Sequence, residues 1–293
     1  MSNDNRYWRD PALGTATEVE TSGGRMRVFS SGSGEPIVFA HGALVNANLW
    51  RKVVPLLAPD FRCITLDLPL GSHELPMPKA DLSPTGLADL IAEAIGALGI
   101  EPPTLVGNDS GGGLSQIAVA RHPDLVSRLV LTSCDAYDNF PPRFFDVLLW
   151  PTRYPALSRA LFAPLRIRAM RGTPLAFGWL MHSKLDARAG DSYILPALTS
   201  PEAGADFSRF VRTVDGSYTM DAIEKLRSYD RPVLIAWSRD DKFFKDGERL
   251  AADIPGARLE WIENARTFSM EDQPERVAEL VAGFVREPAA VGA

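Results

Sequence analysis

The run Leu105-Val106-Gly107-Asn108-Asp109-Ser110-Gly111-Gly112 holds the residues best placed for chemistry. An apolar strand ends, one residue makes the turn, and a helix begins at once. Such a turn forces strained backbone angles on its middle residue and admits only small neighbours two positions to either side. Gly107 and Gly111 give that spacing around Asp109. The apical side chain then stands at the carboxyl end of a sheet, over a helix N-terminus that favours negative charge. The same residues permit a plainer reading, a glycine-rich turn in which Asp109 only caps the helix. In the adjacent register Ser110 is the apex, but Asn108 then occupies a position that calls for a small residue, although Gly112 suits the other side.

With this elbow the chain resembles the α/β-hydrolase superfamily, in particular its haloalkane dehalogenase and epoxide hydrolase branch, where the nucleophile is aspartate. The resemblance runs from Val28 to Val285 and is weakest in the middle of the chain. It makes His41-Gly42-Ala43 the counterpart of the oxyanion loop. The N–H groups of Ala43 and Ser110 are then expected to face a developing negative oxygen, with His41 supporting the loop. The stretch from Ala236 to Phe244 resembles the acid loop after the seventh strand, and its spacing to Phe243-Phe244 favours Asp241 over Asp240. In some relatives the acid follows the sixth strand, where Asp135 and Asp138 stand here. The segment Glu263 to Pro274 matches the family's C-terminal segment, in which hydrolytic members place a catalytic histidine just before a phenylalanine. This chain has Thr267 before Phe268. His41, His73, His122 and His182 all lie far upstream, and His182 is the one expected to reach the pocket.

The substitution bears on mechanism. An aspartate that displaces halide or opens an epoxide is left as an ester, and release needs water activated by a base. Losing that base costs on the order of 10²–10⁴-fold. In dehalogenases a tryptophan commonly follows the nucleophile to hold halide; here Ser110 follows. The resemblance therefore implies a hydrolase-like enzyme with Asp109 as nucleophile and an unconventional base such as His182 or Asp241. Two alternatives stand beside it. One is a lyase, isomerase or cyclase with Asp109 as general acid or base, and the other is a binding protein that has lost catalysis.

The elements that must position these residues are legible in outline. Glu18 to Ser30 reads as an opening hairpin turning at Ser22-Gly23-Gly24. Apolar strand-like runs follow at Pro36–Ala40, Cys63–Leu68, Thr104–Gly107, Arg128–Cys134, Pro232–Trp237 and Arg258–Ile262. Helices are expected at Asn46–Leu57, from Ser83-Pro84 to Leu98-Gly99, at Leu114–Arg121, around Glu248–Asp253 and at Pro274–Val285. Strands alternating with helices predict a mostly parallel, doubly wound sheet covered on both faces. From Asp138 to Asp215 no strand-like run occurs, while aromatics, arginines and prolines abound. The expected organisation is an α/β-hydrolase-fold core at 1–137 and 216–293 with a helical cap at 138–215. Trp50, Phe144, Trp179, His41 and His182 are the expected pocket residues, and an aromatic cap implies a small or medium hydrophobic substrate.

At 293 residues, 45% hydrophobic and 23% charged, the composition is that of an ordinary globular protein. A net charge of −6 argues against nucleic acid or an anionic membrane as partner. The polar segment Met1 to Asp10 does not read as a secretory signal, and no run nears the ~18 apolar residues of a membrane span. Cys63 and Cys134 read as reduced core thiols of a cytoplasmic protein. No metal-ligand spacing and no cofactor motif is found; the Gly107 to Gly113 turn lacks dinucleotide-site spacing. The sequence sets no oligomeric state.

Overall fold

The computed structural model describes residues 5–287, so residues 1–4 of the polar N-terminal segment and 288–293 of the expected core lie outside it. Eight strands form one sheet: β1 (Thr15–Thr21), β2 (Gly24–Ser31), β3 (Pro36–Ala40), β4 (Arg62–Leu66), β5 (Thr104–Asp109), β6 (Arg128–Cys134), β7 (Val233–Ser238) and β8 (Arg258–Ile262). Their order is β1-β2-β4-β3-β5-β6-β7-β8. β1 and β2 are antiparallel, as are β2 and β4, and every other neighbouring pair is parallel. β3, β5, β6 and β7 are buried almost throughout, which explains their unbroken apolar sequence: both faces are covered by helices.

The helices are α1 (Val54–Leu57), α2 (Pro84–Ala97), α3 (Ser110–Arg121), α4 (Arg143–Leu149), α5 (Pro155–Phe162), α6 (Ala187–Thr199), α7 (Pro201–Thr213), α8 (Ser217–Leu226), α9 (Gly247–Asp253), α10 (Ser269–Asp272) and α11 (Pro274–Arg286). The expected helix over Asn46–Leu57 is broken into a 3₁₀ turn, Ala47–Trp50, and the single turn α1. Pro55 has no N–H to carry the helix across that junction. α2 begins as its sequence implies, with the Ser83 hydroxyl accepting the Gly86 N–H at 3.2 Å. α3 starts four residues earlier than the apolar pattern suggests, directly at Ser110, because β5 passes into it with no loop.

Between β6 and β7 the chain leaves the sheet for the segment containing α4–α7, whose helices pack on one another. It returns where it left: a Cβ on Gly216 would lie 2.7 Å from the Cα of Asp138. α8 then packs on α3. Buried polar clamps hold the inserted helices against the core. His73 Nε2 meets Asp206 Oδ2 at 3.2 Å, and the Met77 N–H donates to the same oxygen at 2.7 Å. Within the inserted segment Asp191 binds Arg171 at 2.7 Å and Arg168 at 2.6 Å, and it accepts the Asn5 amide from the N-terminal segment at 3.0 Å. Cys63 and Cys134 are both free and buried. Among the described residues no helix is long and apolar enough to cross a membrane.

Candidate active site

Asp109 is the apex of the β5–α3 elbow, with φ 53° and ψ −133°. Those angles are costly for any residue with a side chain and persist only where the surroundings enforce them. Two glycines do so here. A Cβ on Gly107 would lie 2.6 Å from the Cα of Gly112, and one on Gly111 would lie 2.4 Å from the carbonyl oxygen of His41. The strain falls on Asp109 and not on Ser110, so the elbow takes the Asp109 register. Asn108 turns inward and staples the elbow to its neighbours. Its amide donates to the carbonyls of Thr132 at 3.0 Å and Thr267 at 2.8 Å.

The Asp109 side chain points past Gly42, where a Cβ would sit 2.3 Å from Oδ2. Glycine is required in that loop to let the carboxyl through. Beyond lies a cavity of about 320 Å³, floored by Ala43, Asp109, Ser110 and Asp135. Its walls are apolar and come mainly from the inserted helices, including Phe145, Leu149, Leu161, Phe177 and Phe210. Every titratable residue lining it is an aspartate: Asp109, Asp135 and, on the inserted helices, Asp146. Burial pushes the Asp109 carboxyl up to about 7; the Ser110 N–H opposes the rise and the charge of Asp241 adds to it. Asp135 is fully buried and its carboxyl is raised well above the usual range, by burial first and then by Asp109. The Ser110 hydroxyl opposes that rise, yet it makes no hydrogen bond of good geometry to Asp135, and both carboxyl oxygens lack a partner.

Asp241 is buried behind the elbow and does not line the cavity. Its Oδ1 accepts the N–H groups of Phe243 at 2.8 Å and Phe244 at 2.9 Å. Burial raises its carboxyl, while these two N–H groups and the Thr267 hydroxyl oppose the rise. Thr267 is fully buried; its hydroxyl and Asp241 Oδ2 each lack a hydrogen-bond partner of good geometry. The structure thus gathers Asp109, Asp135, Asp241, Thr267, Ser110 and Ala43 around the strand ends.

The other expected pocket residues stand elsewhere. His41 is fully buried beneath the floor, its Nδ1 2.8 Å from the Gly42 carbonyl and its Nε2 accepting the Leu68 N–H at 2.9 Å. Burial lowers it to about 4, so it is a neutral support for the loop. Trp50 is in the core against Phe39, ring centroids 4.9 Å apart. Phe144 and Trp179 pack with Phe243 in an aromatic cluster, and the cavity is lined by the next residue, Phe145. One residue along a helix turns a side chain by roughly 100°, which sequence alone could not phase. His182 is at the surface, paired through Nε2 with Asp240 Oδ2 at 3.0 Å, and is not a cavity residue. Asp135 entered the sequence reading only as an alternative acid position. Its signal was a carboxylate directly after the buried run of β6.

The sheet order, the strained elbow and the cavity over it define an α/β-hydrolase-fold protein. The chain belongs to the alpha/beta hydrolase fold family, which it matches over residues 35–274. It is similar to an uncharacterized protein of Mycobacterium tuberculosis, 29% identical over 93% of this chain and 82% of the relative. It is also similar to haloalkane dehalogenase 2 of the same organism, 26% identical over 89% of this chain and 92% of that protein. Among solved structures, an alpha/beta hydrolase fold protein from Burkholderia ambifaria superposes with a TM-score of 0.78 and 26% identity, over 91% of this chain and 97% of that one.

Proposed function

We propose that this protein is an enzyme in which Asp109 acts as a general acid–base group on a small or medium apolar substrate, in a lyase-, isomerase- or cyclase-type reaction. One observation carries the reading. The carboxyl meets an apolar cavity whose titratable lining is wholly aspartate, with no imidazole or amine to activate water. A carboxyl raised to about 7 holds a proton through much of the neutral range and exchanges it readily with substrate. The charge of Asp241, buried behind the floor, adds to the burial that favours the protonated form of Asp109. The inserted helices, read as a cap over 138–215, wall the cavity with apolar side chains, an environment that favours proton transfer over hydrolysis.

The elbow itself favours a second reading. It presents Asp109 as relatives of the dehalogenase type present a nucleophile, with the Ser110 N–H and Ala43 beside it. Here attack would leave an ester, and of the two bases expected to activate water His182 pairs with Asp240 at the surface and Asp241 does not line the cavity.

The two separate in one experiment. The protein is incubated in ¹⁸O-labelled water with a panel of epoxides, alkyl halides, lactones and β-hydroxycarbonyl compounds, followed by product and intact-protein mass analysis. The acid–base reading expects conversion without labelled oxygen in the product, lost in Asp109→Asn. Labelled oxygen in the product overturns it. A stable mass adduct on Asp109, absent from the Asn variant, establishes the second reading instead.

A further inference from the structure

Exposed apolar side chains are not spread evenly over this molecule. Of the nine large ones among the described residues, seven lie between Val147 and Leu175, including Trp150, Tyr154, Leu157 and Ile167. Two more of the seven, Met170 and Leu175, also line the cavity, so exposed apolar side chains reach its lining. Concentration of this kind marks an interaction surface; singly scattered residues would not.

The charge of the same stretch reverses that of the chain. From Arg143 to Arg171 there are six arginines and one acidic residue, Asp146, in a protein of net charge −6. Arg153 pairs with Asp146, and Arg168 and Arg171 pair with Asp191. Arg143, Arg159 and Arg166 are exposed and form no ion pair among the described residues.

We propose that this face docks on an anionic lipid surface. Tryptophan and tyrosine place an apolar ring body and a polar tip at the headgroup level, and leucine and isoleucine enter the acyl boundary. Arginines bury their stems while the guanidinium meets phosphate. Each cation near such a surface adds about fivefold to partitioning, so three unpaired arginines form an electrostatic anchor. A second copy of the chain is the poorer occupant. In a two-fold interface a patch meets itself, which would set three unpaired arginines against three more. The low net charge that argues against membranes is an average over two surfaces of opposite sign. This docking is independent of the chemistry at Asp109, and it would set the cavity mouth against the phase in which apolar compounds collect.

The test is vesicle flotation at low and physiological salt, with phosphatidylglycerol-containing or pure phosphatidylcholine vesicles. The expected result is binding to the anionic vesicles at least about tenfold stronger than to the neutral ones, and weakened by salt. The triple variant Arg143→Ala/Arg159→Ala/Arg166→Ala should lose it. Bromine-labelled acyl chains should quench tryptophan fluorescence in the wild type and less so in Trp150→Phe. Absence of binding to anionic vesicles, or binding that the triple variant retains, overturns the proposal. So does a concentration-dependent dimer that Leu157→Ser/Ile167→Ser dissolves while vesicles are ignored; in that case a second copy covers the face. All substituted residues are exposed, and thermal melting checks that each variant is folded.

Discussion

Buried carboxyl groups occur in two regions of this protein, and they are treated in opposite ways. Where the chain's termini meet the core and the inserted helices meet one another, each buried acid has its cation. Glu271 is gripped by Arg51 and also by Lys52 at 3.0 Å, Asp67 by Arg9 at 2.7 Å, and Asp191 by Arg168 and Arg171. At the strand ends Asp135 and Asp241 are buried, Asp109 is partly so, and none of the three has a cation within ion-pair distance among the described residues. The clamps hold Asp191 down to about 2, although its own burial pulls the other way. The floor holds Asp109 up at about 7. The same side chain thus serves as a structural anion in one place and as a proton store in the other. What differs is the guanidinium groups at Asp191, against unrelieved desolvation at Asp109.

The sharpest way to break this comparison is to remove the reactive carboxyl. Asp109→Asn is expected to lower turnover by about 10²–10⁴-fold, with the fold intact by circular dichroism. Thr267→His places an imidazole beside Asp241 and is expected to introduce hydrolysis, read as labelled solvent oxygen in the product. Rates indistinguishable from wild type would show that Thr267 does not occupy the place of a base. In the clamp region Glu271→Ala leaves Arg51 buried and unpaired. It should cost about 3–5 kcal/mol in denaturant unfolding, with little effect on per-molecule activity at permissive temperature.

The pH dependence distinguishes the regions by sign. Asp109 binds its proton more tightly folded than unfolded, so the stability it contributes is complete below about 4 and lost as pH rises through about 7. Asp191 contributes stability above about 4 that is lost as pH falls through about 2. Melting curves of Asp109→Asn and Asp135→Asn should therefore match wild type near pH 4 and lie above it at pH 8, by on the order of 1 kcal/mol. A lower melting point at pH 8 would mean that these carboxyls have partners after all. The smallest effect is expected from Asp89→Asn, since its partners Arg121 and His122 are half exposed; less than about 1 kcal/mol should be lost.

The elbow was legible because its constraint is local: two glycines at fixed spacing around one residue decide the backbone path. Asp241 was separable from Asp240 because a carboxylate two and three residues before Phe243 and Phe244 can accept both their N–H groups. The cavity walls were not legible. Size and aromaticity pointed to Trp50 and Phe144, but which large side chain faces the cavity depends on helix phase and on packing partners far away in sequence. His182 was expected at the pocket because it lies in the cap segment, but an exposed aspartate holds it outside. The weight of Asp135 emerges only in three dimensions, where the absence of any partner becomes visible.

The contact between Asp138 and Gly216 carries a consequence for how such proteins diversify. A long excursion whose two ends touch closes a loop already short at its neck, and the entropic penalty of lengthening it grows only with the logarithm of its length. The strands on either side keep their register whatever is threaded between them. Whole roofs can therefore be exchanged, shortened or elaborated over an unchanged floor. Selectivity can drift rapidly in this architecture while the strained aspartate beneath stays where it is.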